Sequence, residues 1–509
     1  MAISSRPWSR HECISFAAFA VALGIGLIFL THPWYDPAPD VFTYIATARS
    51  LAAGDGYQYL GAPFGIRPPG FSLLIAPWVG DGVDFAALNL LVGLFGVASV
   101  LALAALLRDR IGLRLALLVA GCLWLNPGFQ ILSNQVLSDV PGTALIFGCL
   151  LLERIARRRG GVASFALLGV AIGAAAYVRS MALLVVPATV LALLWRAWPE
   201  RRLRPALIAS LALAGSALLV LAPWSIRNGS LPDAPADFTR IHSYSVAMWH
   251  ELPHDPGSRR LSPVELAARI PLRLEQTVST LGSRLQVNEK GNTLQRGSVS
   301  VGHAVLGVGL LAGLLVQLLR RRETTEIFAV LCLGVVLVYF GFSWRLLLPV
   351  YALALGATLE TLRDLTRHRT RDPVPVIVCA VAVVALLLLD LPPRRGWDAL
   401  ENEHARLEAF ADSVEAQLDE SQVLASTQVA FGALLDRPVY NLRPALRRGA
   451  SPQELESLID RHGIQVLATD PEDPLARSFE AHLRTRYGQP FAAASVRLWT
   501  VRPAAFTLP

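Results

Sequence analysis

The sequence predicts a polytopic α-helical membrane protein that carries a small α/β domain at its C-terminal end. Three observations predict it. The 509 residues are 53% hydrophobic with a mean hydropathy of +0.45, far more apolar than a soluble enzyme of this length. Apolar runs close to the roughly 20 residues that a bilayer requires recur along most of the chain. The short loops between those runs alternate between arginine-rich and arginine-poor, which is the charge asymmetry of a multi-pass protein.

About eleven segments satisfy the length rule, near 14–30, 84–107, 112–127, 138–153, 162–178, 180–198, 205–222, 300–319, 325–342, 345–361 and 374–391. The run from Ser164 to Trp195 holds Arg179 as its one charge and is too long for a single span, so the chain is expected to turn at Arg179. Arginine-rich loops stay cytoplasmic, and Arg108, Arg110 and Arg114, then Arg154 and Arg157 to Arg159, then Arg320 to Arg322 fall on alternate loops. That places the N-terminus inside and the C-terminus outside the inner membrane. The loops 31–83 and 223–299 then share the outer face with everything after about residue 392. The expected division is a membrane domain over 1–391 and an extracytoplasmic domain over 392–509. The first apolar segment has no small-residue cleavage site behind it and is read as an uncleaved span.

The loop after the first span is too polar to cross a membrane. Pro39 and Asp40 open a helix and Gly54 closes it, with Val41, Tyr44, Ile45, Ala48 and Ala52 on one apolar stripe. A short helix lying at the bilayer surface fits that pattern. Asp55-Gly56 makes a turn, and Arg67-Pro68-Pro69-Gly70 predicts an extended segment that returns a cation to the membrane boundary. Beyond Leu391-Pro392-Pro393 the composition becomes that of a water-soluble domain. Residues 399–418 and 454–463 read as amphipathic helices, the second stopped by Gly463, and 422–427, 464–470 and 496–501 read as strands.

Composition excludes several classes. Cys13, Cys122, Cys149, Cys332 and Cys379 lie in or beside apolar runs without metal-ligand spacing, so neither a disulfide framework nor a zinc finger is expected. The net charge of +7 comes mostly from short loops and is explained by topology, with no nucleic-acid partner expected. His250-Glu251-Leu252-Pro253-His254 matches the zinc-peptidase string H-E-x-x-H, but that string works on a helix and Pro253 breaks one.

Asp40-x-x-x-Tyr44 followed by Ala48, Leu51 and Gly54, and then by Arg67-Pro68-Pro69-Gly70, resembles the first outer loop of GT-C-fold glycosyltransferases that use polyprenyl-phosphate sugars. Protein O-mannosyltransferases and lipid A aminoarabinose transferases are the best-known of these. LSDVP at 137–141, PWSIRN at 223–228 and RLLLP at 345–349 agree with the resemblance in chain order. It implies a polyprenyl-phosphate sugar donor, an acceptor that the sequence does not identify, a membrane-lipid setting, and inversion at the anomeric carbon with Asp40 as general base. An aspartate in front of a helix is also a common N-cap, and the two roles are compatible.

Asp139 begins a span, where an acid is costly unless paired or used. Relatives carry an acid there, near the acceptor or a metal, although Pro141 just behind it also suits a plain cap. Asp36 and Asp139 together offer oxygen ligands for a divalent cation; no other cofactor is read from the sequence. Arg67, Arg227 and Arg345 are expected on the outer side, where guanidinium groups bind phosphate oxygens two at a time. Arg67 is the first choice for the leaving phosphate and Arg345 the second. Arg179, at its turn, serves the same purpose or snorkels to the interface. A non-enzymatic transporter of lipid-linked sugars, or a membrane scaffold, would instead place charges along the spans.

Overall fold

The computed structural model describes residues 7–34, 40–80, 82–199, 201, 203–232, 243–253, 255–283, 285, 301–367 and, with short interruptions, 397–501. Within them the chain divides into two compact units. One comprises Met1–His32, Asn89–Ser230 and Pro263–Arg395, the other Pro33–Leu88, Leu231–Ser262 and Gly396–Pro509. The loop after the first span thus groups with the C-terminal residues.

The helical unit begins with α1 (Arg10–Leu30), started by a reciprocal cap in which Ser9 and Glu12 satisfy each other's backbone N–H. In the second unit, α2 (Val41–Ala52), the hairpin β1 (Gln58–Tyr59) and β2 (Ala62–Pro63), and α3 (Gly70–Ile75) follow. Then come α4 (Phe85–Ile111), α5 (Leu113–Trp124), α6 (Pro127–Leu132), α7 (Asp139–Arg159), α8 (Val162–Val178), α9 (Val185–Ala197) and α10 (Leu203–Gly229). After the short α11 (Tyr244–Trp249) and α12 (Pro263–Ala267) stand α13 (Ile270–Gly282), α14 (Val301–Arg321), α15 (Thr324–Val338) and α16 (Leu348–Arg367).

Among the described residues six helices are long and apolar enough to cross a membrane: Arg10–Leu30, Phe85–Ile111, Ser180–Ala197, Leu203–Gly229, Val301–Arg321 and Trp344–Leu365. The protein is therefore a multi-pass membrane protein. The expected segments at 112–127, 162–178 and 325–342 correspond to the shorter apolar helices Leu113–Trp124, Val162–Val178 and Thr324–Val338. The segment at 138–153 falls on the charge-bearing α7, and the one at 374–391 lies outside the described residues. Helices α8 and α10 pack closely because Gly169 offers no side chain: a Cβ there would lie 2.2 Å from the Leu213 carbonyl oxygen.

Several arginines near helix ends meet buried acids. Arg110 bonds Glu323 and Glu326, Arg321 bonds Glu360, and Thr324 donates to Glu153 at 2.8 Å. Arg157 pairs with Glu153 at 2.6 Å, and Arg196 with Glu323 at 3.4 Å. This network ties the ends of α4, α7, α9, α14, α15 and α16. The sequence offered these arginines only as an expectation of orientation; their acidic partners were not read from it.

The C-terminal residues build a five-stranded sheet from β3 (Leu424–Ser426), β4 (Val439–Asn441), β5 (Val466–Thr469), β6 (Phe491–Ala493) and β7 (Val496–Thr500), in the order β4-β3-β5-β7-β6. Strands β4, β3 and β5 run parallel, while β7 pairs antiparallel with both β5 and β6. Helices α17 (Trp397–Glu415), α18 (Pro452–Arg461) and α19 (Pro474–Tyr487) accompany it. Helix α18 starts with a second reciprocal cap, Ser451 with Glu454. Buried Leu424, Val439, Val466 and Leu498 pack with Val414 and Leu435, so this region has its own core.

Candidate active site

Helix α2 buries Val41, Tyr44, Ile45 and Ala48 on the expected stripe, whereas Ala52 at its last position is exposed. Burying large apolar side chains such as these stabilises by about 1.5–3 kcal/mol each, which fixes the face that α2 presents. Asp40 occupies the N-cap position but makes no side-chain cap bond. Its carboxylate is met instead by Arg67, whose Nη2 donates to Oδ1 at 2.7 Å. The Arg67 guanidinium also stands 5.0 Å from the centre of the Tyr44 ring, and Tyr44 meets Phe71 edge-on at 4.8 Å. Three residues singled out in the sequence, Asp40, Tyr44 and Arg67, are thus brought together.

The loop between them is folded tightly. Leu60 and Gly61 both have positive φ, 53° and 76°, the backbone of a two-residue hairpin turn joining β1 to β2. Tyr59 packs against Phe42 and Phe64, and Tyr57 against Phe64. Thr47 of α2 and Ser72 of α3 share a hydrogen bond of 2.8 Å. The Arg67-Pro68-Pro69-Gly70 segment is not extended throughout: Pro69 has φ −78° and ψ −5° and opens α3, because a ring-fixed φ near −65° suits a helix start.

Electrostatics follow from that packing. Burial is the largest single influence on Arg67 and disfavours its charge, but the Asp40 carboxylate, Tyr44 and Tyr244 together outweigh it and hold the guanidinium pKa well above its ordinary value. Burial pushes the Tyr57 hydroxyl up to about 12, against a smaller opposing bond from Ser72. Arg67 Nη1 is buried and has no hydrogen-bond partner among the described residues.

A second group lies in the helical unit. Asp139 is the first residue of α7 and 3% exposed. Arg179 approaches its Oδ1 at 2.8 Å and Arg345 its Oδ2 at 3.4 Å, and Arg179 also donates to Ser138 Oγ at 3.3 Å. Both arginines sit where a helix is interrupted. Arg179 is extended, with φ −150°, between α8 and the 3-10 turn Ser180–Leu184, and Arg345 lies in the 3-10 turn Trp344–Leu347 ahead of α16. Gly142 makes room for Arg179, since a Cβ there would come within 2.5 Å of Arg179 Cδ. Sequence reasoning named Asp139, Arg179 and Arg345 separately and missed Gly142; its place one turn into α7 was the available signal.

Arg227 is helical, because α10 runs through Pro223 to Gly229 instead of ending at 222 as expected. It faces the Trp224 ring at 5.4 Å and donates to Asn228. A proline can be kept inside an apolar helix when neighbouring groups satisfy the freed carbonyl. Helix α11 stops at Trp249 and His250 is extended, with Nδ1 2.9 Å from the Ser258 carbonyl oxygen, so the H-E-x-x-H string is not helical. His254 and Asp36 lie outside the described residues. Among the described residues no three His, Cys, Asp or Glu side chains gather as a metal-holding group.

The model of the dolichyl-phosphate-mannose-protein mannosyltransferase family matches residues 67–226, beginning at Arg67. No match was found among curated proteins. The structure resembles ArnT from Cupriavidus metallidurans bound to undecaprenyl phosphate, with TM-score 0.57 and 15% identity over 97% of this chain and 98% of that one. It also resembles the archaeal oligosaccharyltransferase AglB from Archaeoglobus fulgidus in complex with an inhibitory peptide and a dolichol-phosphate. There the TM-score is 0.53 and the identity 12%, over 91% of this chain and 70% of that one. The sequence motifs, the family match and these structural likenesses agree on one architecture: this chain has the GT-C fold.

Proposed function

We propose that the protein is an inverting glycosyltransferase that moves a sugar from a polyprenyl-phosphate carrier to a lipid, glycan or protein acceptor at the outer face of the inner membrane. The observation that carries this reading is the Asp40–Arg67 pair, in which the guanidinium holds the carboxylate through Nη2 and keeps Nη1 unfilled. A carrier phosphate would satisfy Nη1 and compete with Asp40 for the rest of the guanidinium. Once the phosphate has taken the guanidinium, Asp40 Oδ1 can accept the proton of an acceptor hydroxyl.

In the reaction the acceptor oxygen attacks the anomeric carbon while the bond from that carbon to the phosphate oxygen breaks. The acceptor proton passes to Asp40, and polyprenyl phosphate leaves with the bonding electron pair, its new charge opposed by Arg67. One displacement inverts the anomeric configuration. Tyr44 supports Arg67 through its ring. Arg345 and Arg179, joined on Asp139, are the alternative phosphate ligands, and Arg345→Ala in the same assay separates the two assignments. The scheme needs no metal step, since Arg67 opposes the charge that develops on the leaving phosphate.

The test is transfer of radiolabelled sugar from polyprenyl phosphate by purified wild-type and Asp40→Asn protein, with thermal unfolding recorded for both. Loss of a positioned base costs about 100-fold to 10,000-fold in rate. A folded Asp40→Asn protein that transfers at the wild-type rate sinks the mechanism. For orientation, alkaline phosphatase fused at Pro509 should be active; an inactive fusion reverses the topology.

A further inference from the structure

Helix α2 carries Asp40 at one end and Arg49 in its last turn, nine residues away and so about 14 Å along a rigid axis. Arg49 Nη1 donates to the Leu435 carbonyl oxygen at 2.7 Å, a contact between residues 386 apart in the chain. Leu435 is no surface residue: it is fully buried in the core formed with Leu424, Val439, Val466 and Leu498 of the C-terminal sheet. A second tie lies on the other side of Arg67. Phe85 meets His404 of α17 edge-on at 5.8 Å, and His404 Nε2 is held by Glu408 at 3.0 Å. The segment that carries the Asp40–Arg67 pair is therefore fastened to the C-terminal region before Arg67 and after it.

We propose that Arg49 is a positioning residue, through which the C-terminal sheet holds α2 and thereby sets the placement of Asp40 for transfer. This role rests on the glycosyltransferase reading. A charged donor bonded to a buried backbone carbonyl fixes a helix end better than a contact between two mobile side chains, because the carbonyl belongs to a packed core. The rest of α2 follows: Thr47 is bonded to Ser72, and Asp40 to Arg67. The C-terminal region then acts on the reaction without contributing an atom to it.

The experiment uses full-length protein in lipid nanodiscs and compares wild type with Arg49→Ala, Arg49→Met and Arg49→Lys. Two readouts are taken: amide hydrogen exchange over residues 41–52 and over β3 and β5, and transfer kinetics resolved into kcat and donor KM. In Arg49→Ala and Arg49→Met, exchange over 41–52 should accelerate about tenfold while the sheet stays protected, and kcat should fall about tenfold with KM within about twofold. Arg49→Lys should stay closer to wild type than Arg49→Ala or Arg49→Met in both, because an ammonium can still donate to the Leu435 carbonyl. Loss of sheet protection in Arg49→Ala would mark unfolding, and the Met and Lys pair then decides. Unchanged exchange over 41–52, or faster exchange with unchanged kcat, overturns the proposal. A wild-type protein that transfers no sugar sinks the glycosyltransferase reading and this role with it, whereas a negative exchange result in an active protein sinks this role alone.

Discussion

The Arg110 network and the Asp40–Arg67 pair both set arginine against carboxylate, and they differ in what surrounds them. Side chains of Arg110, Glu326 and Glu360 are 5%, 1% and 0% exposed, whereas those of Arg67 and Asp40 are 20% and 25% exposed. Charges enclosed on all sides cannot exchange partners without opening the helix ends that bury them. Charges with one open flank can. The first arrangement suits holding α4, α15 and α16 in register, and the second suits a contact that a ligand replaces.

The strongest challenge to that contrast is Arg110→Ala. It would leave Glu323, Glu326 and Glu360 buried against a missing cation, and removing one partner of a buried ion pair costs about 3–5 kcal/mol. Thermal unfolding and membrane yield should both collapse; a melting temperature close to wild type would show that the network is not structural. Arg67→Ala should do the opposite. A partly exposed pair contributes only about 0–1 kcal/mol, so unfolding should barely move, while transfer falls about 100-fold or more. Arg67→Lys should retain part of the rate, since charge survives and the fork geometry does not. Equal rates in all three proteins would remove Arg67 from the site.

Smaller effects sharpen the picture. Gly142→Ala inserts a methyl group where Arg179 lies and should cost about 1–3 kcal/mol by overpacking, with a measurable fall in transfer if Arg179 serves the donor. Unaltered stability and rate would mean that Arg179 moves aside freely. Tyr57→Phe should be nearly silent at pH 8. The Tyr57 pKa is raised from its ordinary value near 10 to about 12 in the folded protein, so its contribution to stability is complete below pH 10 and is lost as pH rises toward 12. Wild type should therefore lose stability relative to Tyr57→Phe across that window; parallel pH curves would contradict the burial of its hydroxyl.

Some of this was legible before the structure. The break at Arg179 showed as a lone charge in an apolar run, and the stripe of α2 showed as helical spacing. Asp40, Tyr44 and Arg67 were legible by resemblance, although the resemblance did not say that Asp40 and Arg67 touch. Pairing was the illegible part, since it depends on packing. Arg110 and Glu326 are 216 residues apart, and Arg49 and Leu435 are 386 apart. The arginines of the helix ends were read as topology alone because no local pattern pointed to Glu323, Glu326 or Glu360. Strands β4 and β6, at three residues each, lack the longer β-prone run that marked the equally short β3 within residues 422–427.

The hairpin turn at Leu60–Gly61 has a thermodynamic consequence. Asp40 and Arg67 are separated by 27 positions, and closing a floppy loop of that length would cost about 3 kcal/mol of chain entropy. Here α2 and the β1–β2 ribbon have already used most of that freedom before the two side chains meet. Opening the pair releases little disorder, so its halves stay within reach of each other. Such a clasp can part for a ligand and close again on every turnover without the loop having to search for its fold.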